Sequence, residues 1–184
     1  MTDSVSIKDS MVERIKSHEG YKPNPYKDTV GKWTVGYGRN LEDNPLTPIE
    51  VIKLFGKTKF NNTTDAEIFF EDLLIRDIEK HASELENNLA IFPMCSSNEQ
   101  TVLIDMAFNL GVPTLLSFKG MLHALDNEDQ VQAAAELLDS QYAEQVKTRA
   151  VDNAKLLAGG RYQEAVDRFA YQNTARFNAL EQYL

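Results

Sequence analysis

The 184-residue chain is poor in several things, and each shortage excludes a class of answer. It has one cysteine, Cys95, so no disulfide forms within the chain and folding in a reducing cytosol is expected. It has three histidines, His18, His81 and His123, scattered without a second ligand at metal spacing, so no metal or other cofactor is expected. No run of 18 apolar residues exists, which argues against membrane insertion. The N-terminal MTDSVSIKDS has two acids and no apolar core, so no secretory signal is read there and synthesis as a soluble protein in the host cytoplasm is expected. Excess positive charge is also missing. The net charge of −9 argues against sequence-independent nucleic-acid binding, which depends on many phosphate contacts. Repeats and low-complexity tracts are absent.

The charge is unevenly spread. Residues 1–60 hold ten Lys/Arg against eight Asp/Glu, about +2, and residues 61–184 hold nine against twenty, about −11. Val5, Ile7, Met11, Val12 and Ile15 recur near helical spacing, and Gly20 suits the end of that helix. Residues 21–25 (YKPNP) read as a breaker cluster. The following YKDTVGKWTVGYG reads as a hairpin. Gly31 sits in its turn, and Trp33, Val35 and Tyr37 alternate with Thr34 and Gly36. Trp33 and Tyr37 are expected to pack within this small lobe. Thr47-Pro48-Ile49-Glu50 is a helix start, with a cap, a proline at the first position and a glutamate at the third. A long helix opens at Thr63 or Thr64 and runs to about Leu89. From Asn98 onward helix follows helix.

The fold class expected is α+β. A small N-terminal lobe spans about residues 16–62 with a hairpin or short antiparallel sheet. A connecting helix follows over about 63–90, then a helical lobe over about 91–166 that also takes residues 1–15. An extra amphipathic helix is expected over about 167–184, carrying Phe169, Tyr171, Phe177, Leu180 and Tyr183. The whole is read as one domain and a monomer.

Three polar residues fall close together: Glu19, Asp28 and Thr34. Glu19 closes the first helix, where unpaired carbonyls disfavour a carboxylate and favour its protonated form. Asp28, beside the Gly31 turn, is placed to stay ionised. The Thr34 hydroxyl is placed to hold a water. Two carboxylates in contrasting environments are the usual apparatus for breaking a glycosidic bond. Each residue type is common in its setting, so spacing alone leaves a purely structural role open.

The full string EGYKPNPYKDTVGKWTVGYG, residues 19–38, resembles the phage T4-type lysozymes of glycoside hydrolase family 24. IDMAFNLG, residues 104–111, looks like that family's buried central helix, and QVKTRA, residues 145–150, looks like the stretch whose arginine reaches the catalytic glutamate. The resemblance covers about residues 8–166. It implies a lysozyme-like fold and hydrolysis of the β-1,4 bond between N-acetylmuramic acid and N-acetylglucosamine. By that resemblance Glu19 is the general acid, Asp28 and Thr34 place the attacking water, and Arg149 holds Glu19 by a charge-assisted bond. Peptidoglycan glycan strands are the implied partner. Phe108, Asn109, Tyr142, Gln145 and Asn40 are candidate glycan contacts. An endolysin would need a holin for release and would act on the wall in the periplasm; a phage tail enzyme and a bacterial effector stay open.

The chain departs from the family pattern at Arg39, where a histidine is usual, and at Tyr142, where a tryptophan stands. It also departs in its acidity and in its C-terminal extension. Two rivals remain: a lytic transglycosylase, and a non-catalytic wall-binding protein on the same fold. Cys95 is read as a small filler rather than a nucleophile.

Overall fold

The computed structural model describes residues 3–28, 31–55 and 63–184. By contacts the chain divides into two compact units, Met1–Lys80 and His81–Leu184. The class is α+β: a small three-stranded antiparallel sheet near the N-terminus, and helices elsewhere.

In the first unit, α1 spans Asp3–Glu19. Met11, Val12 and Ile15 are buried on one stripe, as their spacing requires. The side chains of Val5 and Ile7 lie outside the described residues. Lys16 ties α1 to α3 (Thr63–Asn88) by a 2.5 Å ion pair with Glu71. The sheet runs in the order β1-β2-β3, with β1 at Lys22–Lys27, β2 at Trp33–Gly36 and β3 at Arg39–Asn40. The breaker reading of residues 21–25 is corrected here, because Lys22–Pro25 belongs to β1. Proline is tolerated there since β1 is an edge strand, and the pairing register slips between Lys22 and Tyr26, across both prolines. Tyr37 and Gly38 do not extend β2; they form the tight turn into β3.

Val35, Phe69, Phe70 and Leu73 form the core of this unit, with Tyr21, Tyr37, Leu41, Leu46 and Leu54 packed around them. Tyr37 therefore packs as expected. Trp33 does not: it is 48% exposed, at the start of its strand, with the Lys27 ammonium over its ring. Truncating Phe70 to alanine would cost about 3–5 kcal/mol on the usual scale for buried aromatics. The helix α2 (Pro48–Phe55) starts where the capping signal placed it. The Glu50 amide donates to Thr47 Oγ1, and the Glu50 carboxylate accepts from the Thr47 amide at 2.7 Å.

The second unit contains the end of α3 and eight further α-helices. In α4 (Ser97–Leu110), Ser96 and Glu99 form a capping box, and residues Thr101–Ala107 are buried. Next come α5 (Val112–Leu115), α6 (Lys119–Asp126), α7 (Gln130–Leu138), α8 (Gln141–Val146) and α9 (Thr148–Ala158). The α7 helix is central: α6, α9 and α10 (Tyr162–Gln172) all pack on it. Residues 167–184 are not one helix. The chain breaks at Asn173, whose side chain caps α11 (Thr174–Leu180), and a short 3-10 turn follows. Among the described residues no helix is long and apolar enough to cross a membrane.

Candidate active site

The site residues in the first unit are set by α1 and the first two strands. Glu19 is the last residue of α1 and half-buried. Its carboxylate lies against Gly38 so closely that a Cβ there would stand 2.8 Å from Oε2, and Gly38 has φ +78°. Only glycine meets both demands. Gly36, two residues earlier, has φ +65° and is pressed by the Phe70 ring, 2.5 Å from where a Cβ would lie. The two glycines of the GYG string thus have separate tasks: Gly36 admits the core, and Gly38 admits the acid.

Asp28 follows β1. Its carboxylate accepts the Lys32 amide at 2.9 Å, while its own amide donates to the Lys32 carbonyl. The turn therefore fixes the carboxylate in a hydrogen-bonded, partly exposed position. Thr34, on β2, is buried at 4% exposure and donates to the Lys32 carbonyl at 3.3 Å. It pairs across the strands with Tyr26. Alternation along a strand puts Tyr26 and Asp28 on one face, with Thr34 opposite Tyr26 on that same face.

Sequence reasoning overlooked Tyr26. Its phenol is held above the ordinary tyrosine value first by burial, then by the charges of Glu19 and Asp28. One ring thus lies within the field of both carboxylates. The available signal was its position two residues before Asp28 on a strand. Asn40, a candidate glycan contact, has its side chain engaged locally: Oδ1 accepts the Glu42 and Asp43 amides, and Nδ2 donates to Asp43 at 2.6 Å. Arg39 pairs with Asp77 of α3 at 2.5 Å, so arginine does form an ion pair at this position. Burial raises Asp77 above its ordinary value, and the Arg39 charge works against that rise.

In the second unit, Arg149 on α9 is buried and grips both carboxylate oxygens of Asp105, at 3.0 and 3.1 Å. Asn153 adds a 2.8 Å bond to the same carboxylate. Asp105 is fully buried within α4. It too was overlooked, although an acid inside the apolar run IDMAF calls for a cationic partner. Phe108 is half-buried and meets His81 edge-on at 5.8 Å; Asn109 is exposed. Tyr142, buried, packs edge-on against Phe118. Tyr142 and the exposed Gln145 both line a cavity of about 410 Å³ together with Leu110, Ser117, Glu136 and Asp139. Cys95 is a half-buried free thiol, pushed up to about 11 by burial and then by Glu99, which disfavours the nucleophilic thiolate. Among the described residues no cluster of three His, Cys, Asp or Glu is arranged to hold a metal.

Comparison with known proteins agrees with this architecture. The profile of the family "Phage lysozyme" matches residues 16–159. The chain is 28% identical over 150 residues to "Probable T4-type lysozyme 2" of Dictyostelium discoideum, covering 76% of this chain and 88% of that one. It is 27% identical over 154 residues to "Probable T4-type lysozyme 1" of the same organism, with the same coverage of both. It is also 27% identical over 150 residues to the "Pre-baseplate central spike protein Gp5" of Enterobacteria phage T4, covering 77% of this chain and 26% of that protein. The chain belongs to the phage lysozyme family and is a peptidoglycan hydrolase of the muramidase type.

Proposed function

We propose that the chain hydrolyses the β-1,4 bond between N-acetylmuramic acid and N-acetylglucosamine, with Glu19 as general acid and Asp28 and Thr34 placing the water. The observation that carries this reading is geometric: in one unit Glu19 closes α1 against Gly38, while the Lys32 backbone holds both the Asp28 carboxylate and the Thr34 hydroxyl. Glu19 protonates the departing glycosidic oxygen. Asp28, fixed in place by the Lys32 amide, draws the proton from a water that attacks the anomeric carbon. The Thr34 hydroxyl orients that water. Water enters on the face opposite the leaving group, so the anomeric configuration inverts. Arg149 is kept as the supporting residue that the family resemblance implies, and Asp105 keeps its guanidinium in one rotamer. Tyr142, Gln145, Phe108 and Asn109 contact the glycan strand.

The setting stays open between a phage endolysin, a phage tail enzyme and a bacterial effector; as an endolysin the monomer would be made in the host cytoplasm, released by a holin and active on the wall in the periplasm. The test of the chemistry is clearing of outer-membrane-permeabilised cells by wild type and by Glu19→Gln. Wild type clears the suspension and Glu19→Gln does not. Equal inertness of both on several wall types would remove the enzymatic reading.

A further inference from the structure

The family match ends at residue 159, and α10 and α11 lie wholly beyond it. We propose that this C-terminal extension braces the wall of the cavity that holds Tyr142 and Gln145, with Arg176 as its positioning residue. The inference rests on the reading that this cavity takes the glycan strand.

The wall in question is α8, together with the two residues before it. Asp139, Ser140, Gln141, Tyr142 and Gln145 all line the cavity. Six residues make too short a helix to hold itself in water, so α8 depends on what packs against it. The extension supplies that support, since α11 packs on α8. Arg176 Nε donates to Glu144, on α8, at 2.6 Å. Its Nη1 donates to the Asp139 carboxylate at 2.7 Å and to the Asp139 carbonyl at 2.8 Å. One planar guanidinium thus links the residue that leads into α8 to a residue inside it, which a lysine ammonium is not shaped to do.

Asn173 reinforces the link. It caps α11 through the Arg176 amide and donates to the Asp139 carboxylate at 2.9 Å. At the far end of α8, Lys147 takes φ +48°, a left-handed conformation that side-chain-bearing residues rarely adopt. The Tyr183 ring lies 5.3 Å from its ammonium. Both ends of α8 are therefore tied to residues beyond the family match. Arg176 also offsets the charge of Asp139 inside the cavity, where an uncompensated acid would repel the carboxylates of a wall fragment.

The experiment uses the full chain with Arg176→Ala, Arg176→Lys and Tyr183→Leu. Arg168→Ala serves as control, because it removes a comparable ion pair to Asp129 away from the cavity. Amide hydrogen exchange is followed along the chain, and turnover is measured on solubilised, uncross-linked glycan strands. Arg176→Ala raises KM about fivefold with kcat within about twofold, the scale of one lost partly buried link. Amides of residues 141–146 exchange faster while those of α10 do not. Arg176→Lys recovers part of the KM, and Tyr183→Leu gives a milder form of the same effect if Arg176→Ala fails to fold. Unchanged exchange in α8, or the same KM rise in Arg168→Ala, would overturn the brace. Should wild type turn over no glycan at all, the exchange profile still decides the brace, and only the substrate reading falls.

Discussion

Gly38 shows how one missing side chain positions an acid. Adding a methyl there places a carbon 2.8 Å from the Glu19 carboxylate and strains a backbone at φ +78°. Gly38→Ala is expected to cost about 1 kcal/mol of stability and, by displacing the acid, about a hundredfold in kcat/KM. Thermal unfolding beside steady-state rates checks this, and a normal rate in a folded variant would refute it. Glu19, Asp28 and Thr34 are proposed from the sequence because their residue types and intervals resemble a known string. Tyr26 was not legible there, since an aromatic on a strand is ordinarily packing. Only the folded field shows that it lies near both carboxylates. Asp105 was hidden by a similar habit, as an acid in an apolar helix carries no meaning until Arg149 is found around it.

At the level of elements, periodic signals read well and short or irregular ones did not. The β2 strand was visible through its alternation, and α2 through its cap. The β1 strand was masked by two prolines that an edge position tolerates, and β3 has only two residues. The break at Asn173 was invisible because the apolar spacing continues across it. The α2 cap predicts a pH effect. The Glu50 carboxyl is buried, which favours protonation, yet the Thr47 bonds and the Arg76 charge hold it below its ordinary value of 4.5. A depressed folded value gives stabilisation that is complete above the unfolded value and lost as pH falls through the folded one. Glu50→Gln should therefore cost about 1 kcal/mol at neutral pH and progressively less below the ordinary value. Melting curves across the acid range would show the difference closing. A difference independent of pH would contradict this account.

The tie between β3 and α3 yields a prediction of opposite sign. Arg39 faces Asp77 in a largely buried ion pair. Arg39→His replaces it with a group whose folded pKa is raised by the same acid. Its stabilisation is present below about 6.5 and lost as pH rises through the folded value. The melting temperature of this variant should drop between about pH 5.5 and about pH 8 more than that of wild type. Parallel curves would show that the pair contributes little.

Over the whole molecule, the acidic charge of −9 sets the enzyme against an anionic wall. Raising salt from about 0.02 M to about 0.15 M screens that repulsion, so cell clearing should hold level or speed up. A steady fall would point to basic capture by the first sixty residues instead. The extension beyond residue 159 belongs to this scale too: its amphipathic character was legible, but neither its division into α10, α11 and a 3-10 turn nor its support of a cavity wall was. The most direct measurement on the central claim is mass spectrometry of the fragments released from purified peptidoglycan. Wild type should yield muramic acid ends carrying one added water, and Glu19→Gln none. Fragments ending in 1,6-anhydromuramic acid, or full release by Glu19→Gln, would contradict proton donation by Glu19 to a hydrolysed bond.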